Sequence, residues 1–430
     1  MSLFRYYCYL ALRSFRKHKF LTCLAVLAIA IGVGACATTL TVFHVLSRDP
    51  IPGKSHLLFH PQLDAEGMER YLPGAEPIRQ LTVQDAEALL RDRRGTRQAM
   101  MTSGRLTVEP EDRERLPFFA EARYTSADFF ALFDVPFRYG SGWSADDDEA
   151  RARVAVISRE LGEKLYGGKS ALGRRILLQG NAFRIVGVLG AWRATPQFYD
   201  VQVRDFAYQD HVFLPFTTFM ELSLPRTGIS NCWPRGGGGE TAEQDCAWVQ
   251  YWVQLDSPAK ADSYRQYLRD YSEQQRRAGR FERPTNVRLR DVTEWLDYNR
   301  IVGKDVKLQA WMAGGLLLLC LVNAVGLLLA KFLHRGQEIG VRRALGASQG
   351  NIFWQYMVEC AGIGLAGVLP GIALASLGLW IVRQLPGDYA KLAQLDWTTL
   401  AGALALAVIA SLAAGLLPAW RASRMRYGLG

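Results

Sequence analysis

Glu338, Arg342 and Arg343 cluster in the stretch Arg335-Gly-Gln-Glu338-Ile-Gly340-Val-Arg342-Arg343-Ala-Leu345-Gly346-Ala-Ser348. A carboxylate and two guanidiniums at this spacing make ion pairs and charge-assisted hydrogen bonds but supply no nucleophile. The residues describe a short amphipathic element with bare backbone at its glycines. Such an element docks in a partner's groove or, alternatively, is a solvated loop meeting lipid headgroups. Ser348 is placed to cap the helix that follows. Glu359 and Asn323 fall inside apolar runs, where polar groups are expensive and point to a role. Glu359 is either a working intramembrane acid or one at the interface. Neither residue belongs to a chain of carboxylates, so a proton-driven pump is poorly supported.

Other chemistry is thinly provided for. Tyr166-Gly-Gly-Lys-Ser170 resembles the end of a phosphate-binding loop, but the position that needs the first glycine is Glu163, with Gly162 one residue out of register. His18, His44, His56, His60, His211 and His334 are scattered and define no metal site. No nucleophile-elbow or zincin motif occurs. The chain reads as a non-catalyst. Cys232 and Cys246 bracket a glycine-rich loop and are the only cysteines outside the apolar runs and the N-terminal segment. An oxidising compartment favours a disulfide between them, with two free thiols as the alternative.

The elements that must carry these residues are set by hydropathy and charge. Phe20–Leu46 carries no Asp, Glu, Lys or Arg and is longer than the apolar core of a signal peptide, so it reads as an uncleaved anchor. Three later apolar runs, 308–333, 352–383 and 398–418, are also long enough to span. Their Gly32/Gly34, Gly314/Gly315, Gly362/Gly364/Gly367 and Gly371 are candidate packing surfaces, unless they reflect only the abundance of glycine in membrane helices. The formal net charge is +10. Its excess lies in 1–19, in the loop 334–351 with Lys331 beside it, and in the tail 419–430. Basic segments flanking apolar runs follow the positive-inside rule and argue against nucleic-acid binding. Both termini and the 334–351 loop are then cytoplasmic, while 47–307 and the short loop 384–397 lie outside. The fold class is an α-helical integral membrane protein with four transmembrane helices and a mixed α/β extracytoplasmic domain.

Within 47–307, Thr82 to Asp85 opens a helix to about Arg93, Ser126 caps a short helix carrying Phe129, Phe130 and Phe133, and Ser158 opens another to Tyr166. Arg175–Leu178 and Ala182–Leu189 form a hairpin about Gln179-Gly-Asn181. A helix covers about 259–278. A further polar helix over 292–307 is expected to run continuously into the second span as a rigid stalk.

The stretch Glu338 to Ser348 resembles the signature of FtsX/MacB-type ABC transporter permeases, a mechanotransmission class. Glu359 after Phe353–Met357, and Pro418-Ala-Trp-Arg-Ala-Ser423 at the exit of the fourth span, resemble further family positions. Val154-Ala-Val-Ile-Ser158, Leu165-Tyr-Gly167, Leu172-Gly173 and Phe183 to Leu189 are similar to the MacB-like periplasmic core. The chain departs from the family around Cys232–Cys246 and in a tail ending Arg426-Tyr-Gly-Leu-Gly430, which puts a tail contact with the ATPase in doubt.

The resemblance implies a multi-pass permease of the bacterial inner membrane, without a fused ATPase domain. It would pair with an identical or homologous second permease among membrane lipids. It would hold no cofactor itself, with ATP and Mg on a separate cytoplasmic ABC ATPase. Glu338, Gly340, Arg342, Arg343, Leu345 and Gly346 would couple to that ATPase, and the stalk would carry movement outward. The implied output is efflux of a periplasmic substrate with an adaptor and a TolC-like outer-membrane channel. FtsX-like signalling to a cell-wall hydrolase and LolC/LolE-like lipoprotein extraction are the alternatives.

Overall fold

The computed structural model describes residues 3–17, 19–47, 49–69, 71–110, 115–167, 169–200, 209–233, 245–301, 304–334, 336–384 and 397–424. The expected loop 384–397, the glycine-rich residues 234–244 and the tail beyond 424 fall wholly or almost wholly outside them. The chain divides into a helical unit, Met1–Ser47 with Val302–Gly430, and an α/β unit, Arg48–Ile301.

Helices α1 (Leu3–Lys17) and α2 (Lys19–Ser47) come first. The α/β unit follows with β1 (Leu58–Leu63), β2 (Leu81–Thr82), α3 (Val83–Asp92), β3 (Arg97–Glu109), β4 (Phe118–Thr125), α4 (Phe129–Leu132), β5 (Phe137–Gly140) and α5 (Ala145–Glu149). It continues through β6 (Val154–Ile157), α6 (Arg159–Tyr166), β7 (Arg175–Leu178), β8 (Asn181–Leu189), β9 (Val212–Pro215), α7 (Phe216–Leu222), β10 (Arg226–Thr227) and β11 (Asn231–Cys232). It closes with β12 (Cys246–Gln254), α8 (Pro258–Arg277), β13 (Val287–Asp291) and α9 (Val292–Tyr298). The helical unit resumes with α10 (Lys304–Leu333), α11 (Gly336–Ala344), α12 (Gln349–Gln384) and α13 (Trp397–Arg424).

The main sheet runs β13-β1-β12-β3-β4-β9-β6-β8-β5. Most pairs are antiparallel, while β4–β9 and β6–β8 are parallel. Strand β12 lies between β1 and β3 and is buried on both faces. Its alternation sends Tyr251 and Val253 to one core and Trp252 to the other. The first core takes Leu89 from α3, Leu161 from α6, and Tyr264 and Leu268 from α8. The second is aromatic and gathers Phe129, Phe133, Phe198, Phe213, Trp252 and Trp295.

Local chemistry accounts for the element starts. Thr82 accepts from the Asp85 N–H and Ser158 from the Leu161 N–H, so both act as N-caps. The β7–β8 hairpin turns through Gln179 (φ 50°) and Gly180 (φ 74°). Ser126 differs from expectation. Its hydroxyl accepts from the Met100 N–H of β3, and α4 begins after Asp128 without a side-chain cap. The buried strand amide outcompetes the helix end for that hydroxyl.

The continuous stalk over 292–307 is not formed. Asp291 and Glu294 make a reciprocal capping box that starts α9, and Val292 and Trp295 sink into the aromatic core. Trp295 Nε1 donates to the Phe198 carbonyl at 3.1 Å. The helix ends at Tyr298, Arg300 takes φ 55°, and α10 begins only at Lys304. A buried tryptophan fixes these residues as part of the α/β core.

Lys19–His44, Leu308–Leu333 and Gln349–Gln384 are long and apolar enough to cross a bilayer, and a shorter apolar stretch, Ala405–Arg421, lies in α13. Helix α13 passes through Pro418 and reaches Arg424, beyond the boundary expected at 418. Small residues set the helix spacing. A Cβ on Gly364 would stand 2.9 Å from the Ala407 carbonyl of α13, and one on Gly34 2.9 Å from Leu374 Cβ of α12. Gly314 and Gly315 behave otherwise. Nothing lies within 4 Å of a Cβ placed there, so neither makes a packing surface within the described chain.

Candidate functional site

Helix α11 carries the charged stretch. Arg342 Nη2 donates to Glu338 Oε1 at 2.7 Å, one turn back, and its Nη1 donates to Gln355 Oε1 of α12 at 2.8 Å. Arg342 therefore seats α11 on the start of α12. Ser348 Oγ accepts the Asn351 N–H at 3.2 Å and begins α12 at that point. Gly346 has φ +95° and open space around its missing Cβ, so its freedom is spent on the turn between the helices. Gly340 lies within α11, and Arg343 is its penultimate residue. Leu345 is 83% exposed and Val341 61%. The element is thus a pinned charged helix that presents bare apolar side chains.

Glu359 lies within α12 and is buried. Lys331 Nζ of α10 meets its Oε1 at 2.7 Å and also donates to Thr22 Oγ1 of α2 at 2.8 Å. Ser14 Oγ of α1 donates to the same carboxylate oxygen. Phe15 places its ring 5.1 Å from the ammonium. One carboxylate, one ammonium and two hydroxyls therefore tie four helices together, and α11 lies in the chain between the two charged helices. The Glu359 side chain is enclosed by these helices. Lys331, Ser14, Thr22, Gln355 and Val341 are not singled out by the sequence reading. The available signal was an acid and a base, each near the end of an apolar run adjoining the 334–351 loop.

Asn323 makes no link to Glu359. It is exposed on α10, beside a cavity of about 600 Å³ lined by Leu27, Ile31 and Gly326. Cys232 and Cys246 are joined by a disulfide and sit opposite each other in the β11–β12 pairing. The phosphate-loop reading of Tyr166 to Ser170 fails in position as well as register. Gly167 (φ 59°) terminates α6, whereas a phosphate loop precedes its helix.

The α/β unit holds its own buried ionic cluster. Arg123 Nη1 meets Asp200 at 2.6 Å and its Nε meets Asp210 at 3.1 Å, with all three side chains inside. Gln250 donates to Asp200 at 2.9 Å, and Gln197 and Tyr199 donate to Asp210 at 2.8 and 3.1 Å. The two carboxylates hold the guanidinium pKa above its ordinary value despite burial. This cluster joins β4, the 198–200 turn and β12.

Four apolar helical stretches, an α/β unit inserted after the first, and a pinned charged helix between the second and third define a permease architecture. The MacB-like periplasmic core domain matches residues 22–271, and the FtsX-like permease C-terminal domain matches 311–426. The chain belongs to the MacB/FtsX family of ABC transporter permeases, and its apolar helices accord with the bacterial inner membrane.

Among curated relatives, the macrolide export ATP-binding/permease protein MacB of Rhodospirillum rubrum is 28% identical over 432 residues, covering 96% of this chain and 58% of that protein. The pyoverdine export ATP-binding/permease protein PvdT of Pseudomonas aeruginosa is 24% identical over 306 residues, covering 70% of this chain and 40% of that protein. The chain thus spans less than two thirds of these relatives' length. The periplasmic region of MacB from Actinobacillus actinomycetemcomitans aligns at 13% identity with a TM-score of 0.36, covering 56% of this chain and 92% of that one. The extracellular domain of the transporter YknZ from Gram-positive bacteria aligns at 13% identity with a TM-score of 0.35, covering 54% and 99%.

Proposed function

We propose that this chain is the permease subunit of an ABC exporter whose ATP hydrolysis occurs on a separate cytoplasmic ATPase. ATP and Mg bind that partner, and this chain transmits movement to its periplasmic domain. The observation that carries the reading is α11. Arg342 fixes it against α12, while Val341 on the helix and Leu345 just after it are left exposed. An exposed apolar pair on a rigid support is suited to fill a groove in a protein partner. The names of the relatives, which combine ATP binding with export, support ATP-driven export as the activity. An adaptor and a TolC-like outer-membrane channel complete the proposed route for a periplasmic substrate.

A second permease, identical or homologous, is part of the proposal. Asn323 exposes an amide in the middle of an apolar helix, and such a group is best matched by another helix rather than by lipid. The break between α9 and α10 means that movement would pass through a jointed connection.

The test is affinity purification in native detergent followed by mass spectrometry. The expected result is an ATPase that co-purifies with the chain and is lost with Leu345→Glu, at unchanged thermal stability. Recovery of the ATPase by the variant at the wild-type level would refute α11 as the docking element. A cell-wall hydrolase or a lipoprotein chaperone in place of adaptor and channel would replace export by signalling or extraction.

A further inference from the structure

Several arginines on the surface of the α/β unit meet carboxylates. Arg105 pairs with Glu121 at 2.7 Å, Arg276 with Glu273 at 3.2 Å and Arg153 with Glu221 at 3.6 Å. One cavity gathers four cations. It encloses about 470 Å³ where β3, the end of α6 and β7 meet, and Arg115, Lys169, Arg174 and Arg175 all line it. Among the described residues, Lys169, Arg174 and Arg175 meet no carboxylate. The acid on the cavity wall, Glu109, accepts the Gly180 N–H through Oε1 at 3.1 Å.

Arg174 is oriented by groups that do not neutralise it. Arg174 Nε donates to the Ser170 carbonyl at 3.0 Å, and its guanidinium lies over the Tyr166 ring, 4.8 Å from the centroid. Tyr166 is held in turn by its hydroxyl, which donates to the Arg175 carbonyl at 3.3 Å. Arg115 Nη1 donates to the Lys164 carbonyl at 2.8 Å. The carbonyl-rich end of α6 explains a cation at Arg115. It does not explain the other three, and cations crowded together repel one another unless an anion joins them. Backbone and ring contacts fix the guanidinium of Arg174 before a ligand arrives, which lowers the ordering cost of binding.

We propose that this cavity binds a small molecule carrying at least two negative charges on oxyanion groups, either phosphates or carboxylates. Guanidiniums match both groups with paired hydrogen bonds, and the volume suits a ligand of modest size. Tyr166, Gly167 and Lys169 of the failed phosphate-loop motif line the cavity. The anion would be held by side chains after the end of a helix, in place of backbone amides at the start of one. The site lies wholly in the α/β unit and does not depend on ATPase docking.

The test is calorimetric titration of the full chain in detergent at physiological ionic strength, where diffuse surface attraction is screened beyond about 8 Å. Inorganic pyrophosphate is one probe and tricarballylate, a tricarboxylate, the other. Saturable binding of one equivalent is expected for at least one probe, and the stronger identifies the ligand class. Arg174→Ala/Arg175→Ala is expected to weaken binding by about tenfold or more, since charge-assisted bonds are lost. Arg269→Ala removes a cation lining a different cavity and is expected to leave affinity within about twofold. Thermal unfolding of each variant controls for folding. Absence of saturable binding of both probes to the wild-type chain overturns the proposal, as does equal weakening by the double variant and Arg269→Ala.

Discussion

Arg123 and Lys331 are both buried cations, and the protein satisfies them in different ways. Arg123 has two carboxylates, which take further hydrogen bonds from two glutamines and a tyrosine. Lys331 has one carboxylate and a threonine hydroxyl, with a serine hydroxyl on the acid. The first cluster sits between two large hydrophobic cores that already hold its strands together. The second joins helices among which lipid supplies little hydrophobic drive, so its polar contacts matter more for which helices associate. Burial alone therefore does not give an ion pair its structural weight. The alternatives open to its neighbours do.

Single substitutions test that difference. Arg123→Met leaves two buried carboxylates facing each other and is expected to cost about 5 kcal/mol, the upper end for breaking a buried ionic cluster. Lys331→Met leaves one buried carboxylate and is expected to cost about 3 kcal/mol. Denaturant unfolding of the full chain, followed by hydrogen exchange in each unit, measures both. A larger loss for Lys331→Met would show that the number of stranded carboxylates does not set the loss. Adding Glu359→Met to Lys331→Met is expected to restore much of the loss, and no recovery would show that Glu359 is not the group left unsatisfied.

Two smaller effects sharpen the contrast between the units. Cys232→Ser/Cys246→Ser opens a covalent loop and is expected to cost the α/β unit about 3 kcal/mol while leaving the helices unchanged. Hydrogen exchange that loosens both units equally would contradict this. Gly364→Ala forces a methyl against Ser411 and the Ala407 carbonyl and is expected to cost about 1–3 kcal/mol in the helical unit.

The smallest effect concerns Asp148. Burial pushes its pKa up to about 6, against hydrogen bonds accepted from Ala127 N–H and from Trp143 Nε1 at 2.8 Å. A raised carboxyl pKa means that the native state takes up protons before the unfolded state does. Asp148 therefore contributes increasing stability as pH falls from above 6 towards 3.8, the ordinary value. A fluorine label on Trp143 is expected to titrate with a midpoint near 6 and to lose that transition in Asp148→Asn. A flat response would remove Asp148 as the titrating group.

Four apolar runs and their flanking charges were legible because a bilayer demands length and composition, and both are written linearly. The β7–β8 hairpin and the caps at Thr82, Ser158 and Ser348 were legible because each depends on residues a few positions apart. The 338–348 stretch was visible as a charged element, but its division of labour was not. Arg342 is spent on Gln355 and Glu338, and Leu345 and Val341 are left exposed.

The remainder was decided by contacts between residues far apart in the chain. Lys331 reads as one more flanking charge until folding brings it to Glu359 and Thr22. Ser126 reads as a cap until Met100 claims its hydroxyl. The segment 292–307 reads as one helix until the burial of Trp295 and the turn at Arg300 divide it. Sequence determined which segments are apolar, charged or turning, because those properties are local. Tertiary structure decided which polar group satisfies which, because a buried donor or acceptor must find its partner wherever the fold places one.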